Sequence, residues 1–351
     1  MRITIRKGMA TAALTLAVAL TVTACSSSAP APANTSAKAF TPTTIRLALP
    51  TSVTSFANSD IVVADKLGYF KDLGLTVTTT NLKAGGDAVK GVVSGSFDIG
   101  GASIEPVINA FAGGAALKII ASYTDRLEVD MVTPKSITKP LELAGKKLGV
   151  QEIGSFREVM TRMVLESAKL SQSDVSYVPT NANAIVSALV AGQIESGILH
   201  PEQFLAAQEK DPNLHSLVNL YKIEPKYFYG TYFTSQSWLE KNPEAAERFT
   251  EALTKAHRAM YDKKSVVVPI IAKATGFTDK IISEAWTTYM KDIQAFPKNE
   301  GLDKSRLDYT VKRMQELGTL RPGALPDMTK LVDRTPITQA VKNLGTVKGR
   351  S

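Results

Sequence analysis

A chain of 351 residues that is 44% hydrophobic and 21% charged has material for extensive packed cores, and its length exceeds the size at which one core usually divides. The formal net charge of +8 is dispersed, as where Lys146 and Lys147 stand between Glu142 and Glu152, so no basic track suits a phosphate backbone and nucleic acid is excluded as a partner. With one cysteine, three histidines and no HExxH, GxSxG or Walker pattern, the chain offers little catalytic hardware; the expectation is a non-enzymatic protein without metal or cofactor.

Arg2, Arg6 and Lys7 precede an apolar run from Met9 to Val22, too short to persist as a spanning helix, which is the layout of a secretory signal over 1–24. The run closes on Val22-Thr23-Ala24-Cys25, with the only cysteine directly ahead of a Ser/Ala/Pro-rich stretch. An ordinary small-residue cleavage site would make Cys25 incidental. Its placement instead resembles the lipobox of bacterial lipoproteins, in which the thiol is acylated and becomes the new N-terminus. Residues 25–43 then read as a lipidated, disordered tether, since Ser, Ala, Pro and Thr dominate without an apolar period. Loss of 1–24 removes three of the 41 Lys+Arg and none of the 33 Asp+Glu, so the charge becomes +5. With Cys25 committed to lipid, no internal disulfide can form, and packing alone must hold the body.

From Ile45 onward, short β-like runs alternate with helical periods. The pattern predicts strands at Ile45–Leu49, Leu75–Leu82, Asp98–Gly101, Leu117–Ser122, Lys147–Gln151, Val175–Pro179 and Ser196–Leu199. Helices are predicted between them at Ile61–Phe70, Ala88–Ser94, Ile104–Phe111, Arg157–Ala168, Ala184–Ala191 and Gln203–Lys210. Such alternation implies α/β layers with mostly parallel strands. After Trp238 the chain turns helical. Asn242-Pro243-Glu244 opens a helix that runs to about Lys263, followed by helices over Asp279–Gln294 and Ser305–Leu317, the last stopped by Gly318.

One internal match is ungapped: 89–100 (VKGVVSGSFDIG) aligns with 186–197 (VSALVAGQIESG). Each reads as a short apolar helix, a glycine able to take the left-handed position, an acid and a strand. The match places Ser103 and His200 at equivalent points just past strand ends, where open α/β sheets bind ligands.

Ala64 to Val77 (ADKLGYFKDLGLTV), Ser94 to Gly100 (SGSFDIG), Leu143 to Val150 (LAGKKLGV) and Gly154-Ser155 follow one another behind the lipobox-like segment. In this order they resemble the solute-binding lipoproteins of ABC importers, specifically the nitrate/sulfonate/taurine and thiamine-precursor group. The resemblance implies a type II periplasmic-binding-protein fold, in which two α/β lobes joined by two crossovers close on ligand in a central cleft. It places the first lobe at 44–130 and 236–345 and the second at 131–235, with hinges near Met131–Thr133 and Thr231–Gln236. It also implies a monomer held outside the cytoplasm by a lipid anchor, delivering a small molecule to a membrane permease. The sequence departs from the commoner pattern where Glu195-Ser196 replaces an Asp-Ala pair and where His200-Pro201-Glu202 follows the strand.

Residue chemistry supplies candidate ligand contacts. Gly154, Ser155 and Arg157 combine free N–H groups at a helix start, a hydroxyl and a guanidinium, as an anion site requires. Ser52, Gly85, Gly86 and Ser103 lie at corresponding turns of the first lobe, while Asn181, Asn183 and His200 do so in the second. Phe56, Tyr123, Phe156 and Tyr229 are candidate aromatic walls. Together they suit a small organic anion, a sulfonate or carboxylate bearing a ring or short chain. A pyrimidine or thiamine precursor is the alternative, and an enzyme on the same fold or a sensor lipoprotein remains a rival. A cleft carboxylate such as Glu152 or Glu202 would serve the enzyme reading.

Overall fold

The computed structural model describes residues 41–51, 54–320, 323 and 325–349. The expected signal, Cys25, nearly all of the tether and the candidate Ser52 lie outside the described residues.

Among the described residues ten strands form two five-stranded sheets, and these define the two lobes. The first contains β1 (Thr43–Leu49), β2 (Leu75–Asn81), β3 (Ile99–Ser103), β4 (Leu117–Ala121) and β10 (Gly230–Ser235), in the order β2-β1-β3-β10-β4. The second contains β5 (Asp130–Pro134), β6 (Lys147–Val150), β7 (Ser176–Pro179), β8 (Ser196–Leu199) and β9 (Leu214–Asn219), in the order β7-β6-β8-β5-β9. In each sheet the fourth strand runs against its neighbours, β10 against β3 and β4, β5 against β8 and β9. Four strands of each sheet thus run the same way, mostly parallel as the alternation implied, and the single reversed strand makes each sheet mixed.

Two expectations about the crossovers are corrected. Met131–Thr133 lies inside β5 and Thr231–Ser235 inside β10, so neither is a hinge. Sheet membership changes instead over 122–129 and 220–229. β10 belongs to the first sheet although its sequence position fell within the expected second lobe. The physical reason is burial on both faces: β5 and β10 are buried along nearly their whole length, so they lack the apolar/polar alternation that marks a half-exposed strand.

The repeated unit is real in three dimensions. Gly95 and Gly192 both take positive φ, +76° and +66°, after the helices Gly85–Val93 and Ile185–Val190. The N–H of Asp98 donates to the Arg46 carbonyl at 2.9 Å, and that of Glu195 to the Lys147 carbonyl at 2.8 Å. Each carboxylate then accepts the backbone N–H of the same residue, Arg46 to Asp98 at 2.8 Å and Lys147 to Glu195 at 2.7 Å. Glu195 thus does the work of Asp98, which explains why the departure at that position leaves the fold intact.

Apolar packing unites the lobes. One buried cluster runs from Ile45, Leu47 and Phe56 through Tyr229 and Phe233 to Phe156, Val159 and Met160 of the second lobe, while Val132, Ile185, Leu189, Ile194 and Leu199 form a smaller one. Burial of this kind contributes roughly 1.5–3 kcal/mol per large side chain before entropy is counted. Gly230 shows how tight the packing is, since a Cβ there would fall 2.0 Å from the Tyr123 ring.

The C-terminal helices pack behind the crossovers. The helix Lys304–Glu316 starts on Asp303, whose carboxylate accepts the Arg306 N–H at 2.9 Å, and gives way to Gly318 at φ +64°. From it Arg306 donates to the carbonyls of Asp125 (2.9 Å), Pro225 (2.8 Å) and Tyr227 (3.0 Å), gripping both crossovers. Thr310 Oγ1 accepts the Phe228 N–H at 2.7 Å, and Arg313 Nε donates to Glu224 at 2.7 Å. The helix expected over 279–294 is α-helical from Asp279 to Thr287 and widens into a π-turn over Thr288–Asp292.

Candidate binding site

Two neighbouring hollows lie at the seam between the lobes. One of about 220 Å³ is bounded by Thr51, Ser55, Asn183, Glu202 and Gln203, among others, and one of about 30 Å³ by Gly85, Ser103, Tyr123, Ser155, Phe156 and Tyr229, with Thr51 and Ser55 again in its wall. Arg157 and His200 line both. Four helices start here, at Gly85, Ile104, Phe156 and Pro201, two from each lobe, because each follows a strand whose C-terminal end points at the seam.

The structure brings Gly85, Ser103, Tyr123, Ser155, Phe156, Arg157, Asn183, His200 and Tyr229 to these hollows. It does not bring Gly86, Gly154 or Asn181 to their walls. Gly86 abuts the Glu152 carboxylate, and the Gly154 N–H is already spent on Glu158 Oε2 at 3.0 Å, so it is no free anion donor. Asn181 is an exposed turn residue accepting the Asn183 N–H at 3.4 Å. Phe56 lies beneath the site, buried and stacked on Tyr289 at 4.2 Å. Ser155 precedes its helix as expected, but its hydroxyl donates backward to the Glu152 carbonyl at 2.6 Å instead of accepting from the first turn.

Arg157 does not face solvent. It is 3% exposed, donating from Nε to the Ile198 carbonyl and from Nη2 to Gln203 Oε1, each at 3.1 Å. Beside it stand two carboxyls that a pure anion site would not contain. Glu128 Oε1 meets His200 Nδ1 at 2.9 Å, and Glu202 accepts the Phe56 N–H at 3.1 Å and the Tyr289 hydroxyl at 3.3 Å. Burial raises Glu128 well above the usual carboxylate range, helped by repulsion from Glu202, and burial likewise raises Glu202. Burial and then the Arg157 charge push His200 well below its ordinary value, so the imidazole is neutral at physiological pH. Desolvation also lowers Arg157, against the attraction of its neighbours.

Aromatic geometry completes the wall. Phe156 stacks on Tyr229 at 4.1 Å and on the His200 ring at 5.9 Å, and Tyr123 meets Tyr229 edge-on at 5.5 Å. The Tyr123 hydroxyl, in the wall of the smaller hollow, is buried without a hydrogen-bond partner in the described structure, the type of orphan that a bound molecule satisfies. Glu128 and Gln203 escaped the sequence reading, and no local signal marks Glu128. Glu202, named from the sequence as a possible cleft carboxylate, also corresponds to Glu105 under the alignment that pairs Ser103 with His200.

Comparison with known proteins assigns the family. The model of the NMT1/THI5 like family matches residues 56–264, more than half of the chain, and the chain belongs to that family. A 4-amino-5-hydroxymethyl-2-methylpyrimidine phosphate synthase of Saccharomyces cerevisiae is 24% identical over 210 residues, covering 56% of this chain and 61% of the yeast protein. The match thus spans less than two thirds of that relative. Among solved structures, the alkanesulfonate-binding protein SsuA of Xanthomonas axonopodis superposes with a TM-score of 0.68 at 18% identity, covering 84% of this chain and all of that one. The periplasmic nitrate-binding protein NrtA of Synechocystis does so with a TM-score of 0.71 at 13% identity, over 86% and 89% of the two chains. The fold is therefore that of the periplasmic binding proteins, two α/β lobes meeting at a central seam.

Proposed function

We propose that this chain is the solute-capturing component of an ABC import system, carried outside the cytoplasm, anchored through lipid on Cys25 and acting as a monomer without chemical turnover. The observation that supports capture is the pair of seam hollows whose lining residues come from both lobes and converge on Arg157 and His200. A site built by two lobes is filled and closed in one event.

Glu128 and Glu202 favour the pyrimidine or thiamine-precursor class over a sulfonate or carboxylate. A bare anion would meet the Glu202 carboxyl beside the Arg157 guanidinium. A flat ring carrying an amino group would instead stack on the Phe156–Tyr229 pair, donate to a carboxyl and accept from Arg157. The volume suits a single-ring compound.

Thermal-shift measurements with aminopyrimidines, aliphatic and aromatic sulfonates, carboxylates and nitrate test this reading. Aminopyrimidines at a hundred times their dissociation constant should add about 2.7 kcal/mol of stability. A rise with sulfonates alone would reverse the ligand assignment, no rise with any class would remove the binding reading, and recovery of a chemically altered ligand would make the protein an enzyme. The anchor has its own test: Cys25→Ala should move the protein from the membrane to the soluble fraction, and an unchanged distribution would dispose of lipidation.

A further inference from the structure

Glu105 and Glu202 are equivalent residues of the repeated unit, each second in the helix that follows its strand, and each wholly buried. They hold different things. Glu105, in the first lobe, accepts the Tyr227 hydroxyl of the second crossover at 2.8 Å. Glu202, in the second lobe, reaches across the seam: one oxygen accepts the Phe56 N–H at 3.1 Å and the other the Tyr289 hydroxyl at 3.3 Å. Those two donors act as one first-lobe surface, since the Phe56 and Tyr289 rings lie parallel within 8° at 4.2 Å.

From this geometry we infer that Glu202 is the latch of lobe closure, a carboxyl of the second lobe whose two oxygens are satisfied by first-lobe donors only when the seam is shut. The inference rests on the binding reading above. Opening the seam would exchange both bonds for water, and a buried polar group satisfied on both sides differs little in free energy from a hydrated one. Such a latch leaves open and closed forms near balance, which a ligand in the adjoining hollow can tip. The charged and titratable groups facing Glu202 are Arg157 from the helix Phe156–Ser167, Glu128 from the first crossover, Tyr289 from the π-turn, and His200 at the start of its own helix. At the rim, Lys280 of the helix Asp279–Thr287 pairs with Glu209 at 2.8 Å, a second and exposed tie across the same interface.

Tyr289→Phe removes the hydroxyl while keeping the ring stack, and Tyr289 does not line either hollow. Glu202→Gln keeps the shape of the latch and changes its acceptors. In ligand-free protein, both variants should raise amide hydrogen exchange at Phe56 by about tenfold and enlarge the radius of gyration seen by small-angle scattering. Glu105→Gln, which does not touch the seam donors, should change neither. Unchanged Phe56 exchange and scattering in both variants would overturn the latch, and so would an equal response from Glu105→Gln. Because these measurements use no ligand, they separate the two ideas: a working latch with no thermal-shift hit sinks only the binding reading, while a hit with unaltered scattering sinks only the latch.

Discussion

Replacing Arg157 by alanine should lower the unfolding free energy by about 2–4 kcal/mol, the cost of leaving the Ile198 carbonyl and Gln203 Oε1 without their donor. The guanidinium ties the Ile198 carbonyl at the end of β8 to the Gln203 side chain and neutralises the field of Glu128 and Glu202. Without it those bonds are lost, and both acids must be held more firmly in their protonated form. Arg157→Lys should restore only part of the loss, because an ammonium cannot reach two divergent acceptors in one plane. Urea denaturation of the three proteins checks this. A cost below about 1 kcal/mol for the alanine variant would mean that the guanidinium is not engaged as described. Ligand affinity should fall in the same order, since Arg157 lines both hollows.

The second large effect concerns pH. His200 is 2% exposed and its folded-state affinity for a proton is depressed, so acidification protonates the unfolded chain first. Its contribution is complete above the ordinary histidine value of about 6.5 and is lost as pH falls below it, at up to about 1.4 kcal/mol per pH unit. Between pH 7.5 and 5 the protein should therefore lose about 2 kcal/mol more than a His200→Gln variant. Glu128 and Glu202 act in the opposite sense, because their raised folded values disfavour the folded state near neutrality and relieve that cost as pH drops toward the carboxylate range. The difference between the two curves reads the histidine together with its bond to Glu128. Parallel curves would show that His200 titrates normally.

The sequence made the scaffold legible where elements carry their own pattern. β1, β2, β3, β4, β6, β7 and β8 fall within a residue or two of their predicted places because apolar runs, turn glycines and helix starts lie next to each other in the chain. The repeat also set Asp98 and Glu195 at equivalent positions, though their shared role shows only in the folded chain. β5, β9 and β10 escaped, since their identity as strands depends on neighbours supplied by the other end of a crossover. The same distance rule governs the site. Gly85, Ser103 and His200 were readable as strand-end residues, but the partner of His200 is Glu128, and Glu202 meets donors at Phe56 and Tyr289, all remote in sequence. For Gly154 to Arg157 local spacing showed the donors, and only the folded chain shows which of them are bonded within the protein: the Gly154 N–H to Glu158, and Arg157 Nε and Nη2 to Ile198 and Gln203.

The grip of Arg306 on three carbonyls has a mechanical consequence. Asp125 belongs to one crossover and Pro225 and Tyr227 to the other, so a single side chain fastens both connections to the same rigid rod. Two independently flexing straps would let the halves twist, slide or splay. Straps pinned to one axle would restrict those movements, so that walls which parted would meet again in the same register.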